Sequence, residues 1–305
     1  MRVLILGAGA IGGWYGARLI EAGAKVEFLV RSARAANLAQ NGLCIRTSSE
    51  LRQHEVTVRE HLADDYATDL VVLTCKAHDL DSALGAIAPA MANGARLLPL
   101  LNGLRHLQIL DREFASDNVL GGVCHISVTL EADGSIRQIG STERLSFGAR
   151  PGQGEIPRAI VDGLLGMRGE IIHSGNIVAA MWNKFTMLSA LAAITCLMRA
   201  SIGEIVAVAG GADLARWLYL ECAEVARRSG FAPTDDEIGQ ALRILTAEHS
   251  PLKASMLRDV ERGHRTEVEH VLGDMLDRAH ALGVDAPLLA AACAHVRVHE
   301  ARLSG

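Results

Sequence analysis

Residues 1–31 constrain the fold most, because they combine a glycine motif with the secondary structure that the motif needs. Apolar residues 3–6 predict a short buried strand, and Gly7-Ala8-Gly9-Ala10-Ile11-Gly12 follows at once. Residues 14–22 predict a helix, and residues 26–30 predict a second strand. Strand, G-x-G-x-x-G, helix and strand within about 30 residues are typical of a dinucleotide-binding unit. A glycine-rich turn without a ligand is the alternative, and the flanking elements disfavour it.

Each glycine of this motif has a separate predicted task. Gly7 permits the tight turn that leaves the strand, and Gly9, which lacks a Cβ, lets a pyrophosphate approach the backbone. Gly12 lets the helix pack closely on the strand. The N–H groups at the start of the helix then face the phosphates.

The residue after the second strand predicts which dinucleotide binds. An acidic residue there would hold the ribose 2′-hydroxyl of NAD, whereas this chain has Arg31. A guanidinium forms charge-assisted hydrogen bonds to a 2′-phosphate, so we expect NADP(H), and Arg34, one turn on, could contribute. A solvated basic pair at a helix start is the alternative interpretation.

Composition excludes several classes of function. The 305 residues are 50% hydrophobic and carry a net charge of −5 without a basic stripe, so we expect no nucleic-acid partner. The six cysteines include no C-x-x-C pair, which favours free thiols in the cytoplasm. The twelve histidines show no metal-ligand spacing, so no metal site is expected. The uncharged stretch 185–198 is too short to span a bilayer. The sequence sets no oligomeric state, and a homodimer is compatible with it.

Strands and helices alternate through the first part of the chain, which predicts an α/β fold with a doubly wound parallel sheet. Apolar runs predict buried parallel strands at 69–75 and 95–101. Strand pieces are predicted at 43–47 and 55–58 and helices at 33–40 and 78–91. Strands at 119–130, 135–139 and 143–147 predict an antiparallel extension of that sheet, and a helix at 156–167 and a strand at 170–173 follow.

From about residue 177 the sequence contains only helical patterns. They cover 177–199, 201–209, 211–229, 234–248, 251–262, 264–282 and 286–302. The change predicts an N-terminal Rossmann-type domain, residues 1–175, and an all-helical C-terminal domain, residues 176–305.

Polar residues follow two of the buried strands, where ligands bind in such sheets. Lys76 could bond cofactor or substrate oxygens, and Asn102 could hold the nicotinamide ribose or the substrate. In the helical part, Lys184, Ser255 and Glu267 are the candidates for a substrate site. For each, a solvated loop, cap or helix-surface residue is the alternative interpretation.

Taken together, these motifs resemble the ketopantoate reductase family along nearly the whole chain. They are the glycine motif with Arg31, Thr74-x-Lys76, Asn102-Gly103, Trp182-x-Lys184, Ser255-Met256-x-x-Asp259 and Arg265-Thr266-Glu267. The resemblance implies that NADPH reduces the ketone of a small 2-oxo acid, 2-dehydropantoate, to (R)-pantoate in pantothenate biosynthesis. It implies that Lys184 is the proton donor and that Glu267 supports catalysis. Ser255 and Asn102 would then contact substrate, and Lys76 the cofactor edge.

The chain departs from the family at three positions that often hold asparagine. Here they are Leu188, Ala192 and Leu252. If these side chains line the cleft, we expect weak turnover of 2-dehydropantoate and better turnover of a less polar 2-oxo acid. The alternative is that Ser255, Asn102, backbone groups or water replace the lost contacts. A different hydroxy-acid or opine-type dehydrogenase and a non-catalytic NADPH sensor are rival functions.

Overall fold

The computed structural model describes residues 1–304, which divide into two compact units. Unit 1 comprises residues 1–101 and 106–178. Unit 2 comprises residues 102–105 and the chain from residue 179 onward. The short segment 102–105 therefore belongs with the helical part of the chain, although it follows a strand of unit 1.

Unit 1 is built on a parallel five-stranded sheet with helices, as predicted. Its strands are β1 (Arg2–Leu6), β2 (Lys25–Leu29), β5 (Thr57–Arg59), β6 (Leu70–Leu73) and β7 (Arg96–Pro99). They lie in the order β5-β2-β1-β6-β7 across the sheet. Its helices are α1 (Ala10–Glu21), α2 (Ser32–Asn41), α3 (Leu80–Ala92), α4 (Arg105–Phe114) and α5 (Arg158–Leu165). The chain crosses from one side of β1 to the other, so the carboxyl ends of β1 and β6 lie side by side at the switch point.

The predicted antiparallel extension of this sheet is wrong, because those strands form a second, mixed sheet. It contains β3 (Leu43–Arg46), β4 (Leu51–His54), β8 (Gly121–Leu130), β9 (Ile136–Gly148) and β10 (Glu170–His173). Strand β9 pairs antiparallel with β8 and parallel with β3 and β10. A single bridge, Leu97 to Val119, connects β7 to the start of β8. Pro99 has no N–H with which to continue that ladder.

Helix α1, which starts at the glycine motif, is fixed by a buried ion pair. Arg18 is 7% exposed and donates to both carboxylate oxygens of Glu143 on β9, at 2.7 and 3.0 Å. The indole N–H of Trp14 donates to the same carboxylate at 2.8 Å. Charge-assisted bidentate contacts of this kind restrict orientation, so α1 presents its N-terminus in one direction.

The regular elements in the described part of unit 2 are helices, as predicted. They are α6 (Ile177–Met198), α7 (Ile202–Val206), α8 (Gly211–Arg228), α9 (Asp235–Leu245), α10 (Ser255–Glu261), α11 (Asp274–Ala281) and α12 (Pro287–Ser304). Residues 264–282 do not form the single helix that was predicted. A π-helical segment, Glu269–Gly273, precedes α11. π-Helical turns occur frequently near functional sites.

Helix α6 is longer than the apolar stretch that the sequence suggested. It starts at Ile177, and by length and composition it could cross a membrane, the one described helix of which this is true. Of its most apolar 18-residue window, 56% is buried inside the protein. Core helices of globular units have the same properties, and α6 also carries the polar and charged side chains of Asn183 and Lys184.

Candidate active site

The glycine motif forms a tight turn between β1 and α1. Gly7 has φ +91°, a conformation that L side chains rarely adopt. A Cβ on Gly12 would overlap the carbonyl oxygen of Gly7 and the hydroxyl of Thr74. Thr74 itself holds the turn, since its hydroxyl donates to the carbonyl of Leu6 at 2.9 Å. Gly7 and Gly12 therefore give the loop its shape.

Gly9 differs from these two glycines because the space next to it is open. No protein atom lies within 4 Å of a Cβ built on Gly9, which is the N-cap residue of α1. The first N–H groups of α1, from Ala10 to Gly12, have no partners within the helix. Open space beside unpaired N–H groups at a helix N-terminus fits a pyrophosphate. Residues Gly7, Ala8, Gly9, Ala10, Ile11 and Gly12 would hold it.

Arg31 and Arg34 have different surroundings. The Arg31 side chain is 76% exposed and pairs with Asp79 at 2.7 Å, and this hydrogen bond raises the pKa of Arg31. Its guanidinium has further donors for a 2′-phosphate. Arg34 is half-buried, and it donates to the carbonyls of Ala8 and Gly134, each at 2.9 Å. Burial lowers the pKa of Arg34, and its contacts hold the loop in place.

Lys76 lies exposed just after β6, as the N-cap residue of a short 3₁₀ turn at 77–79. Because β6 pairs with β1, Lys76 and the glycine motif follow the carboxyl ends of two neighbouring strands. Unit 1 thus brings the predicted cofactor residues to one edge of the sheet, apart from Asn102, which belongs to unit 2.

Unit 2 contains a cleft with about 280 Å³ of empty space, part of it open to solvent. Helices α6 and α10 each contribute a pair of residues four apart, which places both members on one helix face, and a third pair consists of Glu267, which precedes the π-helical segment, and Val271 within it. The cleft is lined by Leu188 and Ala192, Ser255 and Asp259, Glu267 and Val271, together with Asn102, Ala254 and Met256. Its surface is apolar except for an amide, a hydroxyl and two carboxylates.

Lys184 meets Asn102 beside this cleft. The Lys184 Nζ donates to Asn102 Oδ1 at 3.2 Å, although 82 residues separate them. Gly103 has φ +78°, and a Cβ there would overlap the carbonyl oxygen of His270 in the π-helical segment. The Asn102-Gly103 turn therefore packs closely against that segment. Burial, with a smaller effect of Arg105, lowers the pKa of His270 to about 4, so its imidazole is neutral at pH 7.

The turn of α6 that carries Lys184 is anchored on both sides. The ring of Trp182 stacks on Phe231 with centroids 5.5 Å apart, and the guanidinium of Arg278 lies 5.2 Å from the Trp182 ring centroid. The amide of Asn183 donates to Glu237 on α9 at 2.7 Å. These contacts fix the face of α6 that carries Trp182. The face that carries Lys184 is turned toward Asn102.

Of the three positions where the family often has asparagine, the structure places two in the cleft. Leu188 and Ala192 line it, whereas Leu252 is not among the lining residues, and its carbonyl accepts a hydrogen bond from Ile202 at 3.0 Å. Asp259 also lines the cleft, a position that was not predicted from the sequence. Its spacing of four residues from Ser255 on α10 was the available signal.

Comparison with known proteins gives matches over nearly the whole chain. The family model for ketopantoate reductase PanE/ApbA matches residues 3–152, and the model for its C-terminal part matches residues 176–300. An uncharacterized oxidoreductase, YkpB of Bacillus subtilis (strain 168), is 34% identical over 99% of both chains. A PanE/ApbA family ketopantoate reductase from Ralstonia eutropha JMP134 superposes with a TM-score of 0.88 at 27% identity, over the full length of both chains.

A third similarity concerns the fold alone. D-mandelate dehydrogenase, solved with NADH and anilino(oxo)acetate, gives a TM-score of 0.89 at 20% identity over 100% of this chain and 99% of that one. The two family models together cover most of this chain and both of its units. The chain therefore belongs to the ketopantoate reductase family of NADP(H)-dependent oxidoreductases that act on 2-oxo acids, which confirms the resemblance seen in its motifs.

Proposed function

We propose that this enzyme reduces 2-dehydropantoate to (R)-pantoate with NADPH. The observation that carries the proposal is the hydrogen bond from Lys184 to Asn102 beside a cleft lined by Ser255 and Glu267. In this proposal residues 1–175 form the NADP-binding domain, and residues 176–305 form the substrate and catalytic domain. The PanE/ApbA family membership supports this assignment.

The proposed chemistry assigns Lys184 the role of general acid. NADPH, when bound, supplies the hydride that reaches the carbonyl carbon of the substrate. Negative charge then develops on the carbonyl oxygen, and a neighbouring ammonium group stabilises it and donates the proton. Asn102 accepts one N–H of Lys184, which leaves the other N–H bonds of the ammonium in a defined orientation.

The remaining candidate residues would bind and position the substrate or the cofactor. Glu267 lines the cleft and would support Lys184 or accept a hydroxyl hydrogen bond, and Ser255 would donate to a substrate oxygen. Arg31 would bind the 2′-phosphate of the cofactor, and Lys76 would bond oxygens at the cofactor edge. Gly7 to Gly12 would hold the pyrophosphate.

The cellular setting follows from the same proposal. Pantoate formation would place the enzyme in pantothenate biosynthesis. All six cysteines have free thiols, which suits a reducing cytoplasm. A homodimer remains the proposed assembly, and its mass in solution tests it.

A less polar 2-oxo acid is the second candidate substrate, and Leu188 and Ala192 favour it because both line the cleft. The four polar side chains of the cleft favour 2-dehydropantoate instead. Because these four side chains can replace the hydrogen bonds that Leu188 and Ala192 cannot make, we expect kcat/KM for 2-dehydropantoate to exceed that for 3-methyl-2-oxobutanoate by about tenfold or more. This ranking reverses the expectation drawn from Leu188, Ala192 and Leu252 alone. Nicotinamide absorbance measures both rates. The reverse ranking would make the less polar acid the substrate, and no NADPH oxidation with any 2-oxo acid would leave the sensor function.

Cofactor preference is a separate prediction. The wild type should prefer NADPH to NADH by about ten- to a hundredfold in kcat/KM, because a charge-assisted hydrogen bond contributes about 1.5–3 kcal/mol. Arg31→Asp should abolish or reverse this preference. Arg158→Asp is the matched control, since the Arg158 side chain is 92% exposed and pairs with Asp162 on the same helix. Equal kcat/KM for the two cofactors in the wild type would contradict the assignment of Arg31.

A further inference from the structure

Glu267 lies in a stretch of chain without regular secondary structure. Residues 264–267 lie between α10 and the π-helical segment, and Glu267 is the last of them. Thr266, immediately before it, is 7% exposed. A buried backbone N–H outside a helix or strand needs a partner from elsewhere in the protein. The contacts that hold this stretch therefore decide where the Glu267 side chain lies in the cleft.

The last turns of α12 supply such contacts. The backbone N–H of Thr266 donates to Oε1 of Glu300 at 2.6 Å. A carboxylate acceptor makes this a charge-assisted hydrogen bond, roughly twice as strong as one between neutral groups. Nε2 of His299 lies 3.0 Å from the carbonyl oxygen of His264 and donates to it. Two adjacent residues of α12 thus bond the backbone on the N-terminal side of Glu267.

The backbone on the C-terminal side of Glu267 is fixed as well. The Glu267 carbonyl accepts hydrogen bonds from the N–H groups of His270 and Val271 at 3.0 and 3.1 Å. Arg297 of α12 donates to both carboxylate oxygens of Glu269, at 2.8 and 2.7 Å. The π-helical segment and the stretch before it are therefore held by the same helix.

We propose that Glu300 is a positioning residue, which sets the place of Glu267 in the cleft through the backbone of Thr266. Adjacent Cα atoms lie about 3.8 Å apart across a trans peptide, so a displacement of the Thr266 N–H moves Glu267 with it. Glu300 is not one of the described residues that line the cleft, so it acts on the reaction through Glu267. This inference rests on the proposed function, in which Glu267 supports Lys184 or bonds the substrate.

A double-mutant cycle tests this indirect action. Glu300→Ala should lower kcat with 2-dehydropantoate by about 10- to 100-fold and leave the Kd of NADPH unchanged, because a shift of about 1 Å at a reacting centre can cost that much rate. In a Glu267→Ala background, Glu300→Ala should change kcat by less than about twofold, because the side chain that it positions is already absent. Single-turnover rates with excess enzyme measure the slow variants. Glu300→Gln, whose amide oxygen still accepts from the Thr266 N–H, should regain most of the activity.

The other end of α12 offers a matched control. Glu221 is also a half-buried glutamate whose carboxylate accepts from backbone N–H groups, those of Leu288 and Leu289, at 3.1 and 2.9 Å. Glu221→Ala should lower the Tm, as Glu300→Ala does. It should keep kcat within about twofold of the wild type, because it does not contact the stretch that carries Glu267.

The outcomes separate positioning from stability. If Glu300→Ala slows the wild type and the Glu267→Ala variant by the same factor, or leaves kcat unchanged, Glu300 is only structural and the inference is wrong. A loss of kcat in Glu221→Ala as large as that in Glu300→Ala also overturns it, since any weakening of α12 would then suffice. Wild-type kcat in Glu267→Ala removes the role of Glu267 and this inference with it, while a slow Lys184→Ala enzyme still supports the reductase function. A wild type that oxidises no NADPH with 2-oxo acids overturns the proposed function and the inference together.

Discussion

Lys184→Ala lowers kcat by about 10²–10⁴-fold while NADPH still binds, if Lys184 is the general acid. The lysine is half-buried on α6 and bonded to Asn102, which is the geometry expected of a held proton donor. Removal of the ammonium leaves the developing oxyanion without its charge partner and without a proton source. Steady-state rates with 2-dehydropantoate, together with NADPH titration by fluorescence, measure the two effects separately.

Two further variants show whether the charge or the geometry matters. Lys184→Arg should restore little activity, because a guanidinium keeps its proton and has a different shape. Lys253→Ala is the matched control, since Lys253 is a lysine of the same unit that pairs with Glu261 at 2.8 Å. We expect it to retain wild-type kcat. A fully active Lys184→Ala enzyme would instead make Lys184 an ordinary helix charge.

The fold was predictable where local sequence determines it. The strand, glycine turn and helix at residues 2–21 follow from apolar periodicity and from a glycine at position 7, which permits the positive φ found there. Both are local properties of the sequence. The second sheet was not predictable in this way, because β9 pairs with β3, more than 80 residues earlier in the chain. Helix α4 was missed as well. It lies between two strand signals, and few of its residues are buried.

The candidate residues of the site could be named from motifs, but the contacts among them could not be predicted. Lys184 and Asn102 each follow from a short pattern, whereas their hydrogen bond joins residues 82 positions apart. Sequence spacing could not decide which of Leu188, Ala192 and Leu252 line the cleft, because that depends on how α6 and the segment that leads into α10 pack. The π-helical segment that presses on Gly103 has no sequence signature comparable to a capping box.

The glycine motif allows a test that separates folding from cofactor binding. Gly9→Ala should leave the free energy of unfolding within about 1 kcal/mol of the wild type, because its new Cβ meets no protein atom within 4 Å and its backbone is extended. The same Cβ occupies the space proposed for the pyrophosphate. Loss of two charge-assisted hydrogen bonds at about 1.5–3 kcal/mol each predicts NADPH binding weaker by about 10²–10⁴-fold.

Gly12→Ala should lower the stability of the fold as well as cofactor binding, unlike Gly9→Ala. Its Cβ overlaps the Gly7 carbonyl and the Thr74 hydroxyl, whereas the Cβ at residue 9 enters open space. Forcing the backbone apart costs about 1–3 kcal/mol of unfolding free energy and also displaces the loop. Thermal unfolding without cofactor should therefore show a lower Tm for Gly12→Ala alone, whereas NADPH titration should show weaker binding for both variants. Gly85→Ala, in α3 with open space around its Cβ, controls for the added methyl group. If Gly9→Ala binds NADPH as tightly as the wild type, the pyrophosphate does not lie over Gly9, and the predicted cofactor site at residues 7–12 is wrong.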